Sequence, residues 1–289
     1  MKHDQKVKLA RTANKVLKFF GCCVCYRRDV DKFLLVNRKL KKYKGDWSIG
    51  CYITLPKCAS SSIARTLGQI TNHPDNKKNP TPEFPWTCRT QAPPFDLESI
   101  KSMDSLNEYE KSKIHFLPPW VNTEDEEVMK NVYYFSVVRN PFSRMHGVWQ
   151  ECRETYDIRL GFKDFLVEAK RVYDNNFDLS DQEGERGMLN AKGWWHFKPQ
   201  LEQLIDGKGD LAMHHISKVE YLESDIRKAL AGFKTFQSKN FKLYNENVKP
   251  GGLSEKRKKT GYRQFYDEES IKIVEHMFWS DIDFFEYKF

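Results

Sequence analysis

Two stretches of the chain are apolar and rich in β-branched and aromatic residues, WSIGCYITL (47–55) and VYYFSVV (132–138). Both are too short for a helix to bury well, and each predicts a buried strand. Each gives way at once to turn chemistry and then to a helical pattern. After the first, Pro56 ends the strand, and Ser60, Ser61 and Ser62 can cap a helix carrying Ile63, Leu67 and Ile70. After the second, Arg139-Asn140-Pro141 opens a helix that places Phe142, Met145 and Trp149 on one face. Further helices are expected at 5–20, 122–131 and 161–173, from the stretch GWWHFKPQLEQLID (193–206), and at ESDIRKALAGF (223–233) and 267–285. A third strand is expected within LAMHHISKVEYL (211–222). Strand alternating with helix predicts an α/β fold with a central, mostly parallel sheet flanked by helices. Ligands of such sheets sit at the carboxyl ends of the strands, where both turn motifs lie.

The segments 73–94 and 174–193 carry no such pattern, and the first is rich in proline. Irregular stretches of this length usually have a task, and shaping a substrate cleft is the expected one. No internal repeat is visible. The chain has 289 residues, aromatic content of 14% and a mean hydropathy of −0.71. A substantial core is therefore expected despite the polar average.

The formal charge is +8, but residues 1–45 hold fourteen Lys and Arg against three Asp, which leaves 34 basic and 37 acidic residues in the remainder. The excess belongs to a basic N-terminal arm, and the near-neutral body gives no footprint for nucleic acid. The organisation expected is a partly helical arm at 1–45 and one domain at 46–289. Within the arm, Leu9, Ala13, Val16, Leu17 and Phe20 are expected on one helical face among lysines. That face suits either its own domain or an anionic membrane surface. The longest apolar run, VLKFFGCCVCY (16–26), is too short to span a bilayer and has no small-residue cleavage site. The seven cysteines are odd in number and lack zinc-type pairing, so reduced thiols are expected and no metal. Cys22, Cys23 and Cys25 read either as small apolar residues near a helix end or as acylation sites.

The chemistry concentrates in the two turns. A strand-to-helix turn aims successive N–H groups at one point, and the helix N-terminus adds positive potential there. In LPKCASSSI, Lys57 adds a compact cation and three serines add hydroxyls, but there is no glycine to wrap backbone around a triphosphate. Such a loop suits one phosphate held closely. In VVRNPFSRMH, Arg139 stands at the strand end, where a guanidinium can clamp a second phosphate through two parallel hydrogen bonds.

On these residues the chain resembles the sulfotransferase family, in particular the Golgi-type carbohydrate sulfotransferases, with motifs closest in style to heparan sulfate 2-O-sulfotransferases. LPKCASSSI is similar to the family's 5′-phosphosulfate loop and VVRNPFSRMHGVW to its 3′-phosphate motif. HISKVEYLESDI and the closing GYRQFYDEESIKIVEHMFWSDIDFFEYKF are similar to its middle and final segments. The resemblance runs over roughly 47–289, weakest at 73–114 and 174–193. It implies a fold related to the P-loop kinases and the donor 3′-phosphoadenosine 5′-phosphosulfate (PAPS), with PAP as product. It further implies that Lys57, Cys58, Ala59, Ser60, Ser61 and Ser62 hold the 5′-phosphate and that Arg139 holds the 3′-phosphate. The family's serine eight residues after that arginine is Gly147 here, so either its backbone N–H or Ser143 would have to contribute. Arg263, with the run at 256–259, matches the loop that closes over the nucleotide.

Sulfuryl transfer to a hydroxyl needs a base opposite the donor. The resemblance points to His115, in KIHFLPPW, and an ordinary imidazole is largely neutral at pH 7. His196 and Trp195, in WWHFKPQ, are the acceptor-side candidates. The expected activity is PAPS-dependent transfer to an acceptor hydroxyl, with a glycan as the expected partner. A non-catalytic module binding a nucleotide or sulfated glycan is the alternative. With no membrane-spanning run, a cytoplasmic or otherwise soluble location is expected, or a Golgi one if an anchor lies outside this chain.

Overall fold

The computed structural model describes residues 3–20, 22–27, 32–37, 40, 49–60, 62–63, 66, 132–175, 194–205, 211, 213–231, 243 and 261–289. The expected helix at 122–131, the irregular segment 73–94 and all but the first two residues of the segment 174–193 lie outside these residues. The chain divides into two compact units. One comprises 40–138 with 212–250, and the other 1–39 with 139–211 and 251–289.

The first unit is built on strands β3 (Ile49–Ile53), β4 (Val132–Val138) and β5 (His215–Lys218). Among the described residues they form a parallel sheet in the order β3-β4-β5, with Ile53 opposite Ser136 and Val138 opposite Lys218. The two apolar runs of the sequence are therefore neighbouring strands, and the chain leaves both at the same edge of the sheet. Ser136 is buried within this sheet, and its Oγ donates to the Ile53 carbonyl at 2.8 Å. Next to β5, His214 clasps Tyr134. Its N–H donates to the Tyr134 carbonyl at 2.8 Å, and its Nδ1 accepts the Tyr134 N–H at 2.9 Å. Nδ1 is thus the unprotonated nitrogen of that ring. Helix α4 (Leu222–Leu230) follows β5 and buries Ile226, Ala229 and Leu230 against Tyr52, Ile63, Phe135 and Val137.

In the second unit, α1 (His3–Leu17) runs into a short 3₁₀ turn, Lys18–Phe20. It then meets an antiparallel hairpin of β1 (Cys22–Arg27) and β2 (Lys32–Asn37). The cysteine cluster therefore lies in the strand that begins just past the helix end at Phe20, and Cys23 is buried opposite Val36. The expected apolar face of α1 is also rotated. Ala10 and Asn14 are the buried positions, while Leu9 and Val16 are 57% and 60% exposed.

The remaining helices of this unit are α2 (Pro141–Tyr156), α3 (Phe162–Asp174), α5 (Glu268–Met277) and α6 (Trp279–Phe285). Phe142, Met145 and Trp149 are buried as their spacing predicts. They join Phe162, Phe165, Leu166, Phe197, Val274, Met277 and Phe278 in one core. Each such side chain is worth roughly 1.5–3 kcal/mol on full burial. The single helix expected at 267–285 is two, broken at Phe278, whose backbone sits at φ −120°, ψ 26°. Where GWWHFKPQLEQLID predicts a helix, the chain makes two 3₁₀ turns instead, Trp194–Phe197 and Leu201–Gln203.

Candidate active site

The lysine loop solves the problem of lacking glycine by forcing other residues into glycine's conformation. Lys57 and Ala59 both lie in the left-handed region, at φ 61° and 60°. For an L-residue this costs roughly 1–2 kcal/mol each, so surrounding bonds must hold it. Cys58, fully buried between them, donates its N–H to the Leu55 carbonyl at 3.3 Å and its Sγ–H to the Pro56 carbonyl at 3.4 Å. The Ile63 N–H donates to the Ala59 carbonyl at 3.0 Å, and Thr66 Oγ1 donates to the Ser62 carbonyl at 2.7 Å.

This geometry corrects the expected cap. Ser60 is the first helical residue, so the cap position falls to Ala59. Alanine has no side-chain oxygen to accept the first-turn N–H groups, a role that an anion can take at a helix N-terminus. Alternating left-handed backbone makes such N–H groups converge into an anion-binding concavity. Ser62 is buried, Lys57 and Ser60 are half-buried, and Ser61 lies outside the described residues.

The arginine turn is built differently. Asn140 caps α2, its Oδ1 accepting the Phe142 N–H at 3.1 Å and its Nδ2 donating to the Lys288 carbonyl at 2.8 Å. Pro141 follows at the first helical position, where its missing N–H costs nothing. Arg139 is half-buried, and its Nε donates to Ser143 Oγ at 3.0 Å. Its main chain is held by the side chain of Gln200. Oε1 accepts the Arg139 N–H at 2.8 Å, and Nε2 donates to the Arg139 carbonyl at 2.9 Å.

Gly147 is the seventh residue of α2, so its N–H belongs to the helix ladder and is committed to the Ser143 carbonyl. Of the two expected substitutes for the family serine, the backbone N–H is thereby removed. Ser143 remains, at one bond from Arg139. Arg144, by contrast, is a fully buried support. Its guanidinium donates to the carbonyls of His196 (2.9 Å) and Lys198 (3.1 Å) and lies over the Phe278 ring at 5.5 Å.

His196 is fully buried, with Nε2 3.6 Å from the Glu151 carboxylate, so in this structure it faces the interior. The backbone of Trp195 lies in the first 3₁₀ turn. Arg263 is exposed and stacked over the rings of Tyr262 and Phe289, at 5.8 and 5.7 Å. His115 and the run at 256–259 lie outside the described residues. Among the described residues no group of His, Cys, Asp and Glu could hold a metal, and no helix is long and apolar enough to cross a membrane.

Gln200 and Asp281, which no local pattern singles out, hold the arginine turn from behind. Both oxygens of Asp281 accept N–H groups, Oδ2 from Gln200 N (2.8 Å) and Nε2 (3.0 Å), and Oδ1 from Leu201 N (2.8 Å). Burial drives this carboxyl above the usual range, against the pull of the Arg144 charge and of these N–H donors. The available signal was the position of Gln200 directly after Pro199, and of Asp281 at the head of the closing Asp-x-x-x-Phe-x-Tyr.

A family model described as the sulfotransferase family matches residues 49–288, which takes in the lysine and arginine turns, the 194–205 segment and α6. No curated protein and no solved structure matches the chain. With most of its length aligned to that one family, the chain belongs to the sulfotransferases.

Proposed function

We propose that the chain transfers a sulfuryl group from PAPS to an acceptor hydroxyl, with a carbohydrate as the acceptor class and a P-loop-kinase-like three-layer fold as its frame. Residues 46–289 form the catalytic body and 1–45 an appended basic segment able to meet an anionic surface. The observation that carries this reading is the lysine loop, with left-handed Lys57 and Ala59 before a helix whose cap lacks an oxygen. These residues fit a single phosphate, and the half-buried Arg139 beyond the neighbouring strand fits a second. Two separate monophosphate sites match a nucleotide bearing 5′ and 3′ phosphates better than a triphosphate.

When bound, PAPS supplies a sulfuryl group on a good leaving phosphate. Lys57 and the loop N–H groups neutralise the negative charge that grows on the bridging oxygen, the largest single contribution a protein makes to such a transfer. Ser60, Ser61 and Ser62 hold the 5′-phosphate, Arg139 the 3′-phosphate, and Arg263 closes on the nucleotide. His115 takes the acceptor proton, and Trp195 and His196 form the acceptor side. For His196 that role requires its buried ring to leave Glu151.

A binding module on the same fold is the second reading, favoured by the loss of the family serine at Gly147, whose N–H the helix already uses. Incubation with sulfur-labelled PAPS and a panel of hydroxyl acceptors separates the two. Labelled carbohydrate is the expected product, and PAPS binding without any labelled acceptor leaves the binding module. ATP displacing PAP more readily than PAP displaces ATP contradicts PAPS-dependent transfer.

A further inference from the structure

We infer that Gln200, with Asp281 behind it, and Ser143 are positioning residues that aim Arg139, and so set how strongly the site discriminates a 3′-phosphorylated nucleotide from one without it. The inference rests on the sulfotransferase reading of Arg139. Its geometry stands within one compact unit.

Arg139 lies one residue beyond β4, where strand pairing no longer fixes the main chain. The Gln200 amide takes over, accepting and donating at 2.8 and 2.9 Å as a neighbouring strand would. A side-chain amide can do this only in one orientation, and Asp281 sets it. Its Oδ2 accepts from Gln200 Nε2, so a flipped amide would set oxygen against the Asp281 carboxylate and the Arg139 carbonyl, and N–H against the Arg139 N–H. Asp281 also accepts the N–H groups of Gln200 and Leu201, while Arg144 takes the carbonyls of His196 and Lys198. The segment 196–201 is thus suspended by its main chain between a buried anion and a buried cation. Its N–H and C=O groups are spent on side chains, which accounts for the 3₁₀ turns in place of a helix.

Gln200, Arg144 and Asp281 are all fully buried. A buried ion set of this kind contributes little stability over a well-packed apolar one, so stability alone does not account for it. What it does supply is a fixed origin for the Arg139 side chain. Ser143 fixes the other end, accepting from Nε at 3.0 Å and setting the plane of the guanidinium. Two-point recognition of a phosphate by arginine depends on that plane, and small misplacements of a clamping group cost large factors.

The test is calorimetric titration of the full chain with PAP and with 5′-AMP, which differ by the 3′-phosphate. Wild type is expected to prefer PAP, and Arg139→Ala to abolish the preference. Gln200→Met keeps the volume and removes the clasp. It should lower the PAP-to-AMP affinity ratio about tenfold, less than the roughly 10²-fold that a full 1 Å misplacement can cost, while AMP affinity stays within about twofold. A Gln200→Met ratio equal to wild type, or an equal loss for both ligands, overturns the inference and leaves a merely structural role. Ser143→Ala, in the accessible first turn of α2, provides a second route should Gln200→Met not fold. It should lower the same ratio severalfold, Ser143→Thr should restore it, and neither should matter once Arg139 is alanine. A Ser143→Ala loss that persists in the Arg139→Ala background marks a direct phosphate ligand and overturns the positioning role. Wild type showing no preference for PAP overturns the donor reading itself, and the inference with it.

Discussion

The lysine and arginine turns of this sulfotransferase follow neighbouring parallel strands, yet they are held by different means. The lysine loop carries its shape in its own backbone, left-handed at Lys57 and Ala59, with bonds between near neighbours such as Cys58 to Leu55 and Ile63 to Ala59. The arginine turn is assembled from afar, with Gln200 and Asp281 more than sixty residues away in sequence holding its main chain. Backbone strain suits a site where N–H groups are themselves the ligands. A side-chain clasp suits one where a single long side chain must be aimed.

Mutations that separate local from assembled rigidity test this contrast. The largest expected effect is at Arg144, whose removal leaves two buried carbonyls and the buried Asp281 without their cation. Arg144→Ala should lower unfolding free energy by about 3–5 kcal/mol in denaturant titration. At the edge of the same turn, Asn140→Ala removes the α2 cap, with an expected loss of about 0.5–2 kcal/mol. In the lysine loop the sign reverses. Ala59→Gly relieves a left-handed alanine, worth roughly 1–2 kcal/mol, against an entropic loss of about 0.5–1 kcal/mol. It should leave the melting temperature unchanged or slightly raised, and a clear drop would show that the strain is not there. Ala59→Val should lower it.

The smallest effect contrasts the buried Asp281 with a partly exposed acid. Burial raises the Asp174 carboxyl, but hydrogen bonds from His276 (2.8 Å) and Lys170 outweigh it and bring the pKa from 3.8 to about 2. Its contribution is therefore complete above pH 3.8 and lost as pH falls toward 2. Asp174→Asn should be less stable than wild type at pH 5, and the two unfolding curves should converge near pH 2.

The same contrast explains what could be read from the sequence. Strand β4 and the Asn140-Pro141 helix start are local patterns, and both stand as their residues predict. The strand-to-helix turn at the lysine loop was legible, but its cap was not, because nothing in Ala59 signals a left-handed residue. The 194–201 segment carries helix-forming residues around one proline, and its 3₁₀ form arises from Arg144 and Asp281, which no local window contains. For α1, the buried face is chosen by what it packs against, and that places Ala10 and Asn14 inside and Leu9 and Val16 outside. The β1–β2 hairpin was hidden in a cysteine-rich run with no alternation to mark its buried side.

Lys57→Ala tests the central claim most directly. At saturating PAPS, transfer of labelled sulfuryl should fall about 10²–10³-fold, the cost of losing one group that stabilises developing charge. PAP affinity should change far less, because Arg139 and the loop N–H groups remain. A Lys57→Ala chain that transfers at the wild-type rate, or that loses PAP binding and transfer in equal proportion, would contradict the account.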